Sequence, residues 1–249
     1  MNKMQIDITH EDLNNCTVLE VGSGCGDTTQ ILANLLSRCE NTRLIITDLS
    51  DRHFEMIRQN IQQHNVELVF YQTDACDLHQ VPSGSVDYLV CNYTLCAINA
   101  HPGQLLFALE RFYQVLKPGG KIYIEDEYPI STASTPAQVI WAEKWRILKS
   151  ASLMIGESPF QEIAPEVLQK ICDHLGFTGC QWESGSAVFL DKDGLAFFQL
   201  RLSRLLADFP HQQLVDGFRA WERKLLAEYQ SIGAMEVPYY RFRAEKEVA

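Results

Sequence analysis

The stretch Val18–Thr29, VLEVGSGCGDTT, decides how this chain folds. An apolar run reaches an acid, Glu20, and glycine then takes alternate positions at Gly22, Gly24 and Gly26. The pattern reads as a strand, a tight turn and the start of a helix. After a parallel strand, such a turn lies at the carboxyl end of the sheet, where open α/β folds bind ligands beside a topological switch point. Glycine there lets the backbone take positive φ and come close to a ligand, because no Cβ intervenes. The spacing is G-x-G-x-G, not the G-x-G-x-x-G of dinucleotide folds, and either pattern alone is a weak signal.

Outward from that turn, β-rich runs alternate with helical segments, the pattern of a parallel sheet covered on both faces. Strands are expected at Thr17–Val21, Leu44–Asp48, Leu68–Gln72, Val86–Cys91 and Lys121–Glu125, with helices around Thr28–Ser37, Asp51–His64 and Gln104–Leu116. KPGG, Lys117–Gly120, should stop the last helix and turn into the next strand, since Pro118 cannot continue a helix. Beyond the core, Ser131–Phe160 carries Trp141 and Trp145 in a helix, Pro165–Leu175 is a short helix, and a strand falls within Phe177–Leu190. Two amphipathic helices follow, one through Leu195, Phe198, Leu202, Leu205, Leu206 and Phe209, the other through Leu214, Phe218, Trp221, Leu225 and Tyr229. The tail EVPYYRFRAEKE has the composition of a returning last strand. The expectation is an α/β, doubly wound, mostly parallel seven-stranded sheet in a single domain over 1–249. Residues 16–126 form its core, and 131–160 and 192–232 are helical insertions, a cap or a dimer surface.

Totals narrow the partners. The 249 residues are 46% apolar, enough for a substantial core. A net charge of −11 disfavours phosphate backbones and anionic membranes, so neither nucleic acid nor membrane is expected as a partner. Eight cysteines at irregular spacing, with no C-x-x-C pair, read as reduced, mostly buried small residues and not as a metal or disulfide framework. With no signal-peptide core or membrane-length apolar run, the expected compartment is the cytoplasm, and the expected state a monomer or homodimer.

Glu20 two residues before the first glycine resembles motif I of the class I S-adenosylmethionine-dependent methyltransferases. Four more motifs follow in that family's order: Asp48 closing LIITDLS, the turn TDACDL at Thr73–Leu78, VPSGSVDYLVCNYTLCAI, and VLKPGGKIYIED. The resemblance spans about Cys16–Asp126. It implies the fold above and S-adenosylmethionine as cofactor; no residue is assigned as a metal ligand, and metal assistance at the acceptor stays open. It places Glu20, Gly22, Ser23, Gly24, Cys25, Gly26, Asp48, Leu49, Asp74, Ala75, Asn92 and Tyr93 around the cofactor, with Asp48 on the ribose hydroxyls and Asp74 and the Ala75 amide on the adenine edge. Each residue also has a plain structural use: the glycines can shape a turn, Asp48 can cap a helix, and Asp74 can make an Asx-turn. Five motifs in order favour the cofactor.

The acceptor should sit above the carboxyl ends of strands four and five, and is expected to be a small molecule. Tyr93, Glu125, Glu127, Tyr128, Trp141 and Trp145 are its candidate contacts, and His101, Glu125, Glu127 and Tyr93 are the candidate catalytic groups. Glu125 and Glu127 alternate onto one face, so their charges should reinforce each other and raise a pKa toward neutrality. With few basic residues near in sequence, the pocket should be negative and prefer a neutral amine or a metal-bound hydroxyl over an anion. Packing is the competing use of both tryptophans, a turn that of His101, and solvation that of the acids. Competing functions are a methyltransferase-like partner subunit without catalysis and a nicotinamide-dependent oxidoreductase.

Overall fold

A computed structural model describes residues 8, 11–61, 66–190 and 192–248. In chain order the elements are β1 (Thr17–Val21), α1 (Asp27–Leu36), β2 (Arg43–Asp48), α2 (Phe54–Ile61), β3 (Glu67–Gln72), β4 (Val86–Asn92), α3 (Leu95–Ile98) and α4 (Gln104–Val115). They continue with β5 (Leu116–Glu127), α5 (Pro136–Met154), α6 (Pro165–Leu175), β6 (Phe177–Phe189), α7 (Ala196–Ala207), α8 (Gln212–Ile232) and β7 (Met235–Lys246). A single 3-10 turn, Asp51–His53, opens the helix expected from Asp51. The end expected for that helix, 62–64, lies outside the described residues.

The seven strands are ordered β3-β2-β1-β4-β5-β7-β6. β1 to β5 run parallel, and β7 is antiparallel to both β5 and β6. The chain winds outward from β1 to β3, then returns to add β4 on the other side of β1, so the switch point falls between β1 and β4. Alternation along the strands sends successive residues to opposite faces. Leu19, Val21, Leu89, Cys91, Ile122, Ile124, Tyr240 and Phe242 pack against Phe112 of α4 and Leu168 of α6. Val18, Leu44, Ile46, Val90 and Tyr123 pack against Leu32 of α1 and Ile57 of α2. The doubly wound, mostly parallel sheet read from the sequence is the fold.

The junction between α4 and β5 differs from the expected tight turn. Leu116 already pairs with Val86, and Lys121 then pairs with Tyr88, so Lys117–Gly120 form a bulge within the strand. Gly120 is required there, since a Cβ would meet the Lys117 carbonyl oxygen at 2.9 Å and the Val86 carbonyl oxygen at 3.0 Å.

A separate apolar cluster joins α5, α7 and α8 through Trp141, Leu148, Phe198, Leu202, Phe218 and Leu225, and takes in Met235 and Val237 at the start of β7. This cluster continues directly from the carboxyl end of β5. α8 ends at Gly233, in the left-handed region at φ 76°, whose amide donates to the Tyr229 carbonyl. Because β7 enters the sheet from the cap at the carboxyl ends, it must run back antiparallel. No helix among the described residues is long and apolar enough to cross a membrane. All eight cysteines are free, but only Cys91 and Cys172 are buried and Cys25 is exposed, so they are less uniformly buried than their composition suggested.

Phe242 is fully buried in the strand between β5 and β6. Phe242→Ala should cost about 3–5 kcal/mol by lost burial and cavity formation, read as a lower urea midpoint at unchanged slope.

Candidate active site

The glycine turn is built by backbone hydrogen bonds between two strand tips. The Gly22 and Ser23 amides both donate to the Thr47 carbonyl, at 2.9 and 3.0 Å, and the Gly24 amide donates to Asp48 Oδ2 at 2.9 Å. Gly22, Gly24 and Gly26 hold φ of 77°, 52° and 93°, where L side chains are strained. Their surroundings differ. A Cβ at Gly22 would lie inside the Thr94 side chain, one at Gly26 would meet Ile57 Cγ1 at 2.6 Å, and one at Gly24 would meet nothing within 4 Å. The outer glycines make room for the protein itself. Only Gly24 faces open space.

Glu20 lies beneath this turn at 1% exposure. Its Oε2 accepts from Thr29 Oγ1 at 2.7 Å, while its buried Oε1 has no hydrogen-bond partner among the described residues. Burial pushes its carboxyl up to about 8, with the Thr29 hydroxyl opposing and the Asp48 charge adding to the rise. Asp48 Oδ1 accepts from the Ser50 amide at 2.9 Å, and Ser50, not Asp48, caps the following turn through Arg52 N. Leu49 is 71% exposed. Asp74 does form an Asx-turn, its Oδ1 accepting from the Cys76 amide at 2.8 Å. Ala75 in that turn is half-buried. Asn92 Nδ2 donates to Thr28 Oγ1 at 3.3 Å.

Tyr93 takes φ 47° directly after β4, a conformation costly for an aromatic residue. Its amide is fixed on the Glu125 carbonyl at 2.7 Å. Burial, then the nearby Glu125 charge, raise its phenol strongly. His101 is exposed in the turn before α4, its carbonyl accepting from the Gln104 amide, which is the turn role.

The acids at the end of β5 are not the open negative pocket expected from EDEY. Glu125 is buried and paired with Arg241, Nε to Oε2 at 2.8 Å, directly across the β5–β7 ladder. It is a poor candidate for a free base. Glu127 Oε2 accepts both indole N–H groups, from Trp141 at 2.6 Å and Trp145 at 2.7 Å. Both tryptophans thus pack and bond at once. Asp126, on the opposite face, accepts from the Cys96 amide at 2.8 Å and from the Glu127 amide at 2.8 Å, and burial lifts it to about 7. Tyr128 shares a hydrogen bond with Ser184 at 2.7 Å and stacks edge-on against Tyr240. Basic residues do lie close, on elements distant in sequence: Lys144 on α5, Lys149 bonded to Glu162 at 2.6 Å, and Arg201 on α7 over the Phe160 ring.

A family model described as "Methyltransferase domain" matches residues 18–120. Arsenite methyltransferase of Mus musculus is 25% identical over 178 residues, covering 64% of this chain and 45% of that protein. A human tRNA N(3)-cytidine methyltransferase is 31% identical over 127 residues, covering 47% of this chain and 43% of its own length. The chain thus spans under half the length of these relatives. A crystal structure of a putative methyltransferase from Bacillus halodurans superposes with a TM-score of 0.64 at 16% identity over 96% of each chain, a likeness of fold. Residues 18–120 therefore match a methyltransferase domain, and the solved structure shares the fold of the whole chain.

The cofactor of this methyltransferase family carries an ammonium, a ribose diol and an adenine ring, and the residues present fit such a group. The orphaned Oε1 of Glu20 asks for a donor. Gly24 leaves backbone open to approach, and exposed Leu49 offers an apolar surface next to Asp48. Sequence reading missed Thr29 holding Glu20 and Arg241 neutralising Glu125; Thr94, expected beside the acceptor at the end of the fourth strand, instead fills the space beside Gly22. Lys144, three residues after Trp141 on the buried face of α5, was detectable as a charge within an apolar stripe.

A carboxyl held at about 8 when folded and near its ordinary value when unfolded keeps a proton that the unfolded chain gives up. Glu20 therefore subtracts stability progressively as pH rises from about 4.5 toward 8. The unliganded Glu20→Gln variant should gain on the parent across that window, by a few kcal/mol at most. Urea titrations at several pH values check it; a constant difference from pH 4 to 9 would contradict the burial account.

Proposed function

We propose that this methyltransferase transfers the methyl group of S-adenosylmethionine to a small-molecule acceptor held between the ends of β4 and β5 and the α5–α7–α8 cap. The observation that carries the reading is Glu20: a buried carboxyl that holds its proton in the free protein, with an Oε1 that has no hydrogen-bond partner under an open glycine turn, is suited to ionise against a cationic ligand. In this reading Glu20 receives the ammonium, Asp48 the ribose hydroxyls, Leu49 one adenine face, and the Asp74–Ala75 turn the adenine edge. Ser23, Cys25, Asn92 and Tyr93 complete the walls.

The bound cofactor would supply a sulfonium-activated methyl. The chain's own work is then to bind, orient and exclude water, which supplies roughly 7–11 kcal/mol in favourable cases. Tyr93, fixed at the β4 tip on the Glu125 carbonyl, stands between the cofactor side and the acceptor side. Glu127 and its two indole donors hold the cap to the β5 tip and wall the acceptor space.

A nucleic-acid acceptor is the second reading, drawn from the tRNA-modifying relative. The net charge of −11 opposes it. Incubation with labelled S-adenosylmethionine and either total tRNA or a small-molecule extract separates the two, with label expected in the small-molecule fraction.

Asp48→Ala should weaken S-adenosylhomocysteine binding by about 1–3 kcal/mol through unsatisfied hydroxyls, measured by calorimetry. Binding an ammonium requires Glu20 ionised, so association near pH 7 should release a proton and tighten as pH rises toward 8. Calorimetry in buffers of different ionisation enthalpy reads that proton directly; uptake in place of release would remove Glu20 from the ammonium site.

A further inference from the structure

Lys144 projects from α5 between Trp141 and Leu148 and is only 7% exposed. Among the described residues its ammonium has no hydrogen bond and no ion pair; its one close partner is the Trp145 ring, at 4.8 Å from Nζ. Two carboxylates act on it from a distance, and both are already engaged: Glu127 by two indole N–H groups, Glu162 by Lys149. Burial consequently lowers the Lys144 pKa. The Trp145 ring meets Phe160 edge-on at 6.0 Å, and the guanidinium of Arg201 lies over the Phe160 ring at 4.6 Å from its centroid. Arg201 is half-buried and likewise has no hydrogen bond or ion pair among the described residues; Glu157 and Cys96 are the groups that act on it at longer range.

Two cations without counter-ions, one of them more than nine-tenths buried, thus lie against a pair of aromatic rings. The surroundings are the acceptor's. Cys96 feels the charges of Asp126, Glu127 and Glu162 together, and its carbonyl accepts from the Gln161 amide at 2.9 Å, so the loop carrying Phe160 and Glu162 is docked on α3 at the carboxyl end of the sheet. A buried ammonium with no acceptor is destabilising unless something completes it. An acid group does so, and the rings supply a flat apolar wall beside it.

We propose that Lys144, on Trp145, with Arg201, on the neighbouring Phe160, is the subsite that takes an acidic group of the acceptor, a carboxylate or a phosphate. This rests on the reading of the α5–α7 corner as the acceptor side of a methyltransferase. It reverses the preference for amines over anions expected from EDEY, because the acids of that motif are paired within the fold while these two cations are not.

The test is calorimetric titration of the full chain, with and without saturating S-adenosylhomocysteine, using benzoate and inorganic phosphate as anions and benzamide as the neutral counterpart of benzoate. At least one anion should bind, and benzamide at least ten-fold more weakly than benzoate where benzoate is that anion. Lys144→Met should lower the anion's affinity at least ten-fold and Arg201→Gln a few-fold, with affinity for S-adenosylhomocysteine unchanged in both. Lys144→Met without ligand should also melt above the parent, since it removes an unpaired buried charge and keeps the side-chain volume. If neither anion binds the parent, if Lys144→Met binds it as the parent does, or if that variant melts well below the parent, the subsite is wrong. Failure of the parent to bind S-adenosylhomocysteine would instead strike the methyltransferase reading, and the anion titrations without it would still decide the role of Lys144.

Discussion

Two amides donating to one carbonyl, Gly22 N and Ser23 N to Thr47 O, fix the turn from which the site is built. They tie the tip of β1 to the tip of β2, and a backbone that must fold over a neighbouring strand so tightly has to enter the left-handed region. That requirement admits glycine and little else. Once the turn is set, Glu20 is sealed beneath it, Asp48 is drawn to the Gly24 amide, and α1 begins under Gly26 with its first threonines facing Glu20 and Asn92. The three glycines serve different masters. Gly22 and Gly26 make room for Thr94 and Ile57, and Gly24 alone keeps its space for a visitor.

The parts of the molecule legible in the sequence were those whose causes are local. β1 to β5 announce themselves through apolar runs punctuated by turn residues, and the order of motifs placed Glu20, Asp48 and Asp74 around one edge before any contact was known. The direction of β7 was not legible, because it follows from where α8 ends, at the carboxyl face, and not from its own residues. Lys117–Gly120 were read correctly as a break but not as a bulge, since the pairing of Leu116 with Val86 is made by a strand thirty residues away.

The acidic corner shows the same limit more sharply. EDEY looks like a concentration of negative charge when only its neighbours in sequence are considered. The antiparallel ladder puts Arg241 opposite Glu125, and a helix turn places two indole N–H groups on a single oxygen of Glu127. Charge in a folded protein is set by the partner across the sheet, which can be more than a hundred residues distant. Conversely, Lys144 looks ordinary in sequence and becomes the least compensated cation of the corner once its neighbours are engaged elsewhere.

The position of β7 has a consequence for how the molecule comes into being. It occupies an interior place in the sheet, between β5 and β6, although all the other strands precede it in the chain. A chain emerging from a ribosome can pair β1 through β5 as each arrives, but β6 then waits with both edges bare until Met235–Lys246 follows. The last contacts formed are therefore of long sequence separation, with an apolar strand edge unprotected in the interval. The element packed on β6 is α6, which precedes it in the chain and shares a core cluster with Phe177 through Leu168 and Cys172, so the support for β6 before β7 arrives lies in α6 and not in the cap.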